Sequence, residues 1–107
     1  MSHPLPTVSA ARPPVEFIEE VAGIYFRSIL LGAGDVVPQH VHDHDHATLV
    51  CSGSARLWVD GQWRADIEAG HAVEIGAMRS HLFQALKDGT RLTCVHDAKS
   101  AEALKEQ

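Results

Sequence analysis

The chain has 107 residues, a formal charge of −5 with histidines counted as neutral, and eight histidines. Its length predicts one domain with a single modest core, to which a bound metal or a dimer partner would add stability. The acidic balance argues against nucleic acid or an anionic membrane as a partner, because both require clustered lysine and arginine side chains. No stretch approaches the roughly 20 apolar residues of a membrane-spanning helix.

Residues 1–14 hold four of the five prolines and little apolar patterning. We interpret them as an extended N-terminal arm that is partly disordered or lies against a partner. The arm lacks the basic stretch followed by an apolar run that marks a secretory signal. Cys51 and Cys94 are far apart in sequence and fit no CxxC pair. They indicate two reduced thiols and, by default, a cytoplasmic protein.

Residues 15–97 have the pattern of a β domain. Short apolar or alternating runs, separated by turn signals, predict strands at residues 24–31, 48–51, 55–59, 62–67, 72–75, 81–86 and 91–96. Short strands with a turn about every 8 to 12 residues, and no βαβ alternation, predict a β-sandwich or barrel. The tail, residues 98–107, consists of helix formers and favours one short surface helix, which would need docking to be stable.

The clearest turn signal is Asp60-Gly61, because a two-residue type I′ turn needs positive φ at both positions. Period-two alternation in the preceding strand places three residues on one face, which we expect to be core: Ala55, Leu57 and Val59. Arg56 and Trp58 share the other face, which meets solvent or a second copy of the chain. An exposed tryptophan there, together with the proline-rich arm, favours a homodimer.

Four histidines fall within residues 40–46, in the sequence HVHDHDH. Imidazole is a common ligand of zinc, copper, iron and nickel. On an extended strand, His40 and His42 point to the same side and can bind one ion together. His44 joins them if the strand continues, whereas a turn near this point brings His46 in from the next strand. His81 is the candidate for a ligand from a distant strand.

A histidine-rich tract also has a simpler interpretation, as a solvated or loosely metal-sequestering segment without a defined site. We interpret His3, His71 and His96 as ordinary histidines. For His44 two interpretations stay open, one as a residue at the mouth of the site that shuttles protons, the other as a solvated side chain.

The spacing around these histidines resembles the first motif of the cupin family, G-x5-H-x-H-x3,4-E-x6-G. Gly34, His40, His42 and Gly53 occupy the matching positions, and His46 stands in the place of the family's glutamate. Every spacing of the motif is met, so this resemblance is specific.

The second cupin motif, G-x5-P-x-G-x2-H-x3-N, is matched less fully. Gly70 and His81 hold the leading glycine and the histidine positions. Gly76 stands at the proline position, Met78 at the second glycine position and Ala85 at the asparagine position. The loss of proline and glycine before His81 puts the shape of that loop in question.

The resemblance covers residues 24–96 and implies a double-stranded β-helix, a jelly-roll barrel with a metal ion inside its mouth. By position, His40, His42 and His81 match the family's three histidine ligands, and His46 matches its carboxylate ligand. Four neutral imidazoles would leave the ion its full +2 charge, which favours an anionic or enolate-like ligand, or hydroxide.

Such a site disfavours calcium and magnesium, which prefer oxygen ligands, and leaves one divalent ion among Mn, Fe, Co, Ni, Cu and Zn. An octahedral ion keeps two positions for substrate or dioxygen, whereas a tetrahedral zinc is saturated by four ligands. We predict a metal-dependent enzyme of oxygenase type, a dioxygenase or related oxidoreductase, acting on a small oxygenated molecule. The alternatives are a non-catalytic metallated binding or sensor module, and a metal-dependent isomerase or lyase with His44 as its base.

Substrate contacts are expected near the distant ligand. Phe83 shares strand parity with His81 and, with Val73 and Ile75, is expected to line an apolar pocket. Arg79 is a candidate clamp for a substrate anion, with a solvated loop arginine as the alternative. Three nearby carboxylates are candidate acceptors that orient the imidazoles: Asp43, Asp45 and Glu74.

Overall fold

The computed structural model describes residues 3–6, 15–40, 46–76 and 78–97, the side chains of residues 38–40, 46, 96 and 97 excepted. These residues form strands and no helix. The strands are β1 (Val15–Val21), β2 (Ile24–Leu31), β3 (Val36–His40), β4 (His46–Ser52), β5 (Ser54–Val59), β6 (Gln62–Glu68), β7 (Ala72–Ile75), β8 (His81–Ala85) and β9 (Thr90–Asp97). The all-β prediction is confirmed.

The strands form two antiparallel sheets. Sheet A has the order β1-β2-β9-β4-β7, and sheet B has the order β3-β8-β5-β6. Alternate residues of both sheets point inward and form one core, since an antiparallel strand buries every second side chain. The fully buried members of that core are Ile29, Leu31, Val37, Val50, Ala55, Leu57, Ile67, Ile75, Phe83, Ala85 and Leu92. Two sheets enclosing one core are the double-sheet barrel that the strand pattern predicts.

The hairpin between β5 and β6 has the predicted two-residue turn. Asp60 and Gly61 have φ angles of 50° and 80°, and β6 resumes at Gln62. Positive φ at both central positions is what a type I′ turn requires.

Gly53 joins β4 to β5 at a crowded point with a φ of 74°. A Cβ atom added there would overlap the Oγ1 atom of Thr90 and lie 2.8 Å from its Cα atom. Thr90 is itself fully buried, and its hydroxyl donates to the carbonyl oxygen of Lys87 at 2.7 Å. Two features therefore favour glycine at the last position of the first motif: the positive φ angle and the close contact with Thr90.

Trp58 is buried, so the prediction of an exposed tryptophan was wrong. The side chain lies on the outer face of sheet B, as alternation requires, but it is only 1 % exposed. Its Nε1 atom donates to the carbonyl oxygen of His3 at 2.7 Å, and the His3 ring meets the edge of the Trp63 ring with centroids 4.8 Å apart. The N-terminal segment, residues 3–6, thus packs on its own domain, and Trp58 offers no surface to a second copy.

The remaining predictions about the chain's ends concern residues 1–2, 7–14 and 98–107, which lie outside the described residues. Within the part of the chain that the structure describes, no helix is long and apolar enough to cross a membrane. Cys51 and Cys94 are free thiols. Burial raises the pKa of the Cys94 thiol, which disfavours the reactive thiolate.

Candidate metal centre

His81 lies at the start of β8 on the inner face of sheet B. Alternation sends residues 81, 83 and 85 inward, and the His81 side chain is only 2 % exposed. Its ring meets the edge of the Phe83 ring with centroids 5.9 Å apart. The sequence therefore places one imidazole in the interior, as the predicted metal site requires of its distant ligand.

The strand register brings the predicted ligand positions close at the level of the backbone. His40, the last residue of β3, lies directly opposite His81. Directly opposed residues share one face of a sheet, with Cβ atoms about 4.5–5.5 Å apart. His46, the first residue of β4 in sheet A, lies opposite Ile75, whose buried side chain belongs to the core. His40, His46 and His81 thus occupy inward register positions on the two facing sheets.

His42 and His44 lie outside the described residues, as do Asp43 and Asp45. Among the residues that the structure describes, no group of three or more His, Cys, Asp or Glu side chains lies close enough to hold a metal ion. The side chains of His40 and His46 are outside the description too, so the four-histidine set stays a prediction.

A cavity of about 320 Å³ opens between the sheets beside these positions. Two of its lining residues, Val59 and Ile75, are the register partners of His81 and His46. The others combine apolar walls with a charged rim: Leu57, Ala65, Val73, Gly76, Arg64, Glu74 and Arg79. Its volume is within the range of small-molecule sites, about 300–1,000 Å³.

Glu74 lines this cavity, whereas Phe83 does not. Phe83 packs in the core beside His81 and is not among the described lining residues. Glu74 is exposed on β7, where it pairs with Ala47, and borders the mouth of the cavity. Its position therefore gives it access to solvent and to whatever enters the cavity.

Arg79 is held at the rim by Asp60 of the β5–β6 turn. The two side chains form an ion pair, and the Ser80 backbone N–H donates to the same carboxylate at 3.0 Å. The hydrogen bond from Arg79, followed by that from Ser80, holds the pKa of Asp60 below its ordinary value. Met78 has a φ of 62°, so the backbone keeps a left-handed conformation at the motif's second glycine position. Hydrogen bonds to Asp60 thus hold the loop before His81.

Sequence reasoning missed a further cavity residue, Arg64. Trp58 pairs with Trp63 whereas Leu57 pairs with Ala65, which makes Arg64 the extra residue of a β-bulge in β6. A bulge redirects side chains locally and is common near functional sites. The sequence does not reveal this bulge. Residues 62–64 are all exposed, so they show no alternation of buried and exposed positions that an extra residue could interrupt.

The buried polar groups test whether the interior fits the metal that the resemblance implies. Among the described residues, the buried polar side chains are hydroxyls and one imidazole: Ser28, Thr48, Ser54, Thr90, Thr93 and His81. No described carboxylate is buried there to attract calcium or magnesium, and imidazole suits a divalent transition-metal ion. The one described donor, the buried His81 imidazole, therefore fits such an ion, and His40, His42 and His46 stay its predicted co-ligands.

Comparison with known proteins agrees with the motif analysis. The family model described as "Cupin domain" matches residues 28–96, and the chain belongs to the cupin family. No curated protein sequence matches the chain.

Solved structures share the fold. A cupin with a double-stranded β-helix fold from Methanocaldococcus jannaschii superposes with a TM-score of 0.70 at 16 % identity, covering 89 % of each chain. KdgF from Halomonas sp. gives 0.66 at 20 % identity, covering 75 % of this chain and 74 % of that one. A mutant of Bacillus subtilis oxalate decarboxylase gives 0.62 at 23 % identity, covering 70 % of this chain and 21 % of that one. At these identities the likeness establishes the double-stranded β-helix and nothing more specific.

Proposed function

We propose that this chain is a metal-dependent enzyme of oxygenase type that acts on a small oxygenated molecule. One divalent transition-metal ion would be held by His40, His42, His46 and His81. The observation that carries the proposal is the buried His81 side chain, opposite His40 in the register and beside a cavity of small-molecule size. Membership of a family that often binds metal supports it.

The charge of the proposed site determines the ligand it prefers. Four neutral imidazoles leave the ion's +2 charge uncompensated, whereas a glutamate at position 46 would cancel one unit. Attraction to an anionic oxygen is stronger where water is excluded, because the local dielectric constant is lower. When bound, the ion supplies Lewis acidity and, if it is redox-active, access to dioxygen chemistry.

The chain's own residues orient the reactants. The apolar walls of the cavity can contact the nonpolar part of a ligand, and Phe83 restricts the His81 ring through its edge contact. Arg79, oriented by Asp60, is the proposed anion clamp at the rim. His44 is the proposed proton carrier at the mouth.

The name of one structural neighbour is compatible with a small oxygenated substrate. Oxalate decarboxylase acts, by its name, on a small dicarboxylate. We propose the same broad class for this chain, a small molecule with oxygen atoms that can reach the ion.

Metal binding is tested by loading the purified, chelator-treated protein with Mn(II), Fe(II), Co(II), Ni(II), Cu(II) or Zn(II) and measuring the bound metal by mass spectrometry. We expect one equivalent per chain, retained by His71→Ala and lost by His81→Ala, since His71 is an exposed imidazole in a turn. Circular dichroism checks that both variants keep the β fold. His46→Glu restores the family's carboxylate and should also retain metal. Equal metal retention by the His81 and His71 variants contradicts the proposed centre.

Oxygenase activity is tested by oxygen-uptake screening of the protein loaded anaerobically with Fe(II) or Mn(II), against small hydroxy, oxo and carboxylic acids. Uptake that requires metal and substrate together supports the proposal. A purified protein that holds zinc in four-coordinate geometry, with no uptake for any metal, contradicts it. Ligand-induced thermal stabilisation without product would instead favour the binding or sensor module.

A cytoplasmic location is also part of the proposal. The free thiols Cys51 and Cys94 are typical of a reducing compartment. Cell fractionation of the full chain tests it, and recovery outside the cytoplasm would contradict it.

A further inference from the structure

Arg64 differs from the other described arginines in having no fixed partner. Three of those arginines form ion pairs with carboxylates, and the fourth donates to a serine hydroxyl: Arg27, Arg56, Arg79 and Arg91. Within the described residues, no carboxylate lies at ion-pair distance from Arg64, although Glu74 lines the same cavity. Its guanidinium group is therefore available to a ligand.

The β-bulge explains how Arg64 reaches the cavity. Ala65 and Ile67 are the inward residues of β6, so regular alternation would turn residue 64 outward. The extra residue at this point breaks the alternation, and Arg64 lines the cavity together with apolar residues of β5 and β7.

We infer that this cavity takes a small carboxylate with an apolar body, and that Arg64 binds its anionic end. The inference deepens the proposed function, because it names the substrate class of the same site. Arg79 is already paired with Asp60, so it adds only a secondary contact for the anion at the rim. Among the cations that line the cavity, Arg64 is the one without an ion-pair partner in the described residues, and the apolar walls receive the body of the ligand. Guanidinium and carboxylate groups form paired, charge-assisted hydrogen bonds.

Binding of benzoate to the metal-free protein at pH 8 tests the inference separately from metal chemistry. Isothermal titration should detect benzoate and not its neutral analogue benzamide. Arg64→Gln should weaken benzoate binding about 10-fold or more, the loss expected for one charge-assisted hydrogen bond. Glu74→Gln, which removes the negative charge at the same rim, should leave binding unchanged or tighter.

Equal benzoate affinity in the wild type and Arg64→Gln overturns the assignment, as does absence of benzoate binding. Because no metal is present, either result leaves the metal-dependent activity to be judged by its own assays. Loss of metal binding in the His81 variant would likewise leave the benzoate result intact.

Discussion

Replacing Gly53 by alanine is expected to cost much more stability than the same change at Gly34. Both glycines belong to the first cupin motif and have positive φ, 74° and 87°. An alanine in this conformation costs about 1–2 kcal/mol. The reduced entropy of the unfolded chain offsets about 0.4–1 kcal/mol of that cost. Gly34→Ala, with no heavy atom within 4 Å of the new Cβ, should therefore lose only about 1 kcal/mol.

At Gly53 a steric term is added. The new Cβ would lie 2.8 Å from the backbone Cα of Thr90, so a strand must move and not merely a flexible side chain. Forcing extra atoms into a packed site costs about 1–3 kcal/mol. We expect Gly53→Ala to lower the free energy of unfolding by about 2–4 kcal/mol, a large share of the about 5–15 kcal/mol of an ordinary domain.

Urea unfolding followed by tryptophan fluorescence and circular dichroism measures both variants. The two probes must report one transition for the free energies to be comparable. The reasoning is refuted if Gly53→Ala and Gly34→Ala are destabilised equally, because the contact with Thr90 would then contribute nothing.

Three further outcomes are expected from the described contacts. Trp58→Phe removes the hydrogen bond to His3 and part of a buried ring, and should lower the free energy of unfolding by about 1–3 kcal/mol; an unchanged urea midpoint would contradict it. Met78→Gly removes the backbone strain of a non-glycine residue at a φ of 62°. It should raise the free energy of unfolding by less than about 1 kcal/mol and the melting temperature slightly. A lower melting temperature would contradict this and indicate that the Met78 side chain contributes packing. The hydrogen bonds from Arg56 hold the pKa of Asp66 below its ordinary value, so their stabilisation is present above the unfolded-state pKa and is lost as the pH falls through the folded-state pKa. Asp66→Asn should cost about 0.5–1 kcal/mol at pH 7 and progressively less as the pH is lowered below about 4, and a cost that does not change with pH would count against the pairing.

Much of the fold was readable from the sequence because it depends on local patterns. Apolar runs bounded by turn signals predicted residues 24–31 and 72–75 as strands, and β2 and β7 have those bounds. Asp60-Gly61 predicted the type I′ turn, since few dipeptides accept positive φ at both positions. The motif spacing predicted the cupin fold, and placed His81 at a position that proves to be inward and buried.

What the local pattern left open was decided by contacts between distant parts of the chain. Trp58 obeys the predicted alternation, yet it is buried because residues 3–6 cover that face. Arg64 lines the cavity because the register between β5 and β6 shifts by one residue at a β-bulge. Neither strand's sequence alone predicts that shift. Arg79 is oriented by its hydrogen bond to Asp60, which lies in a turn 19 residues earlier in the chain. The sequence alone named the histidines of the candidate site, through residue type and spacing. Only the tertiary structure set His40 opposite His81 and opened a cavity beside them, since register and enclosure depend on how the strands pair across the whole barrel.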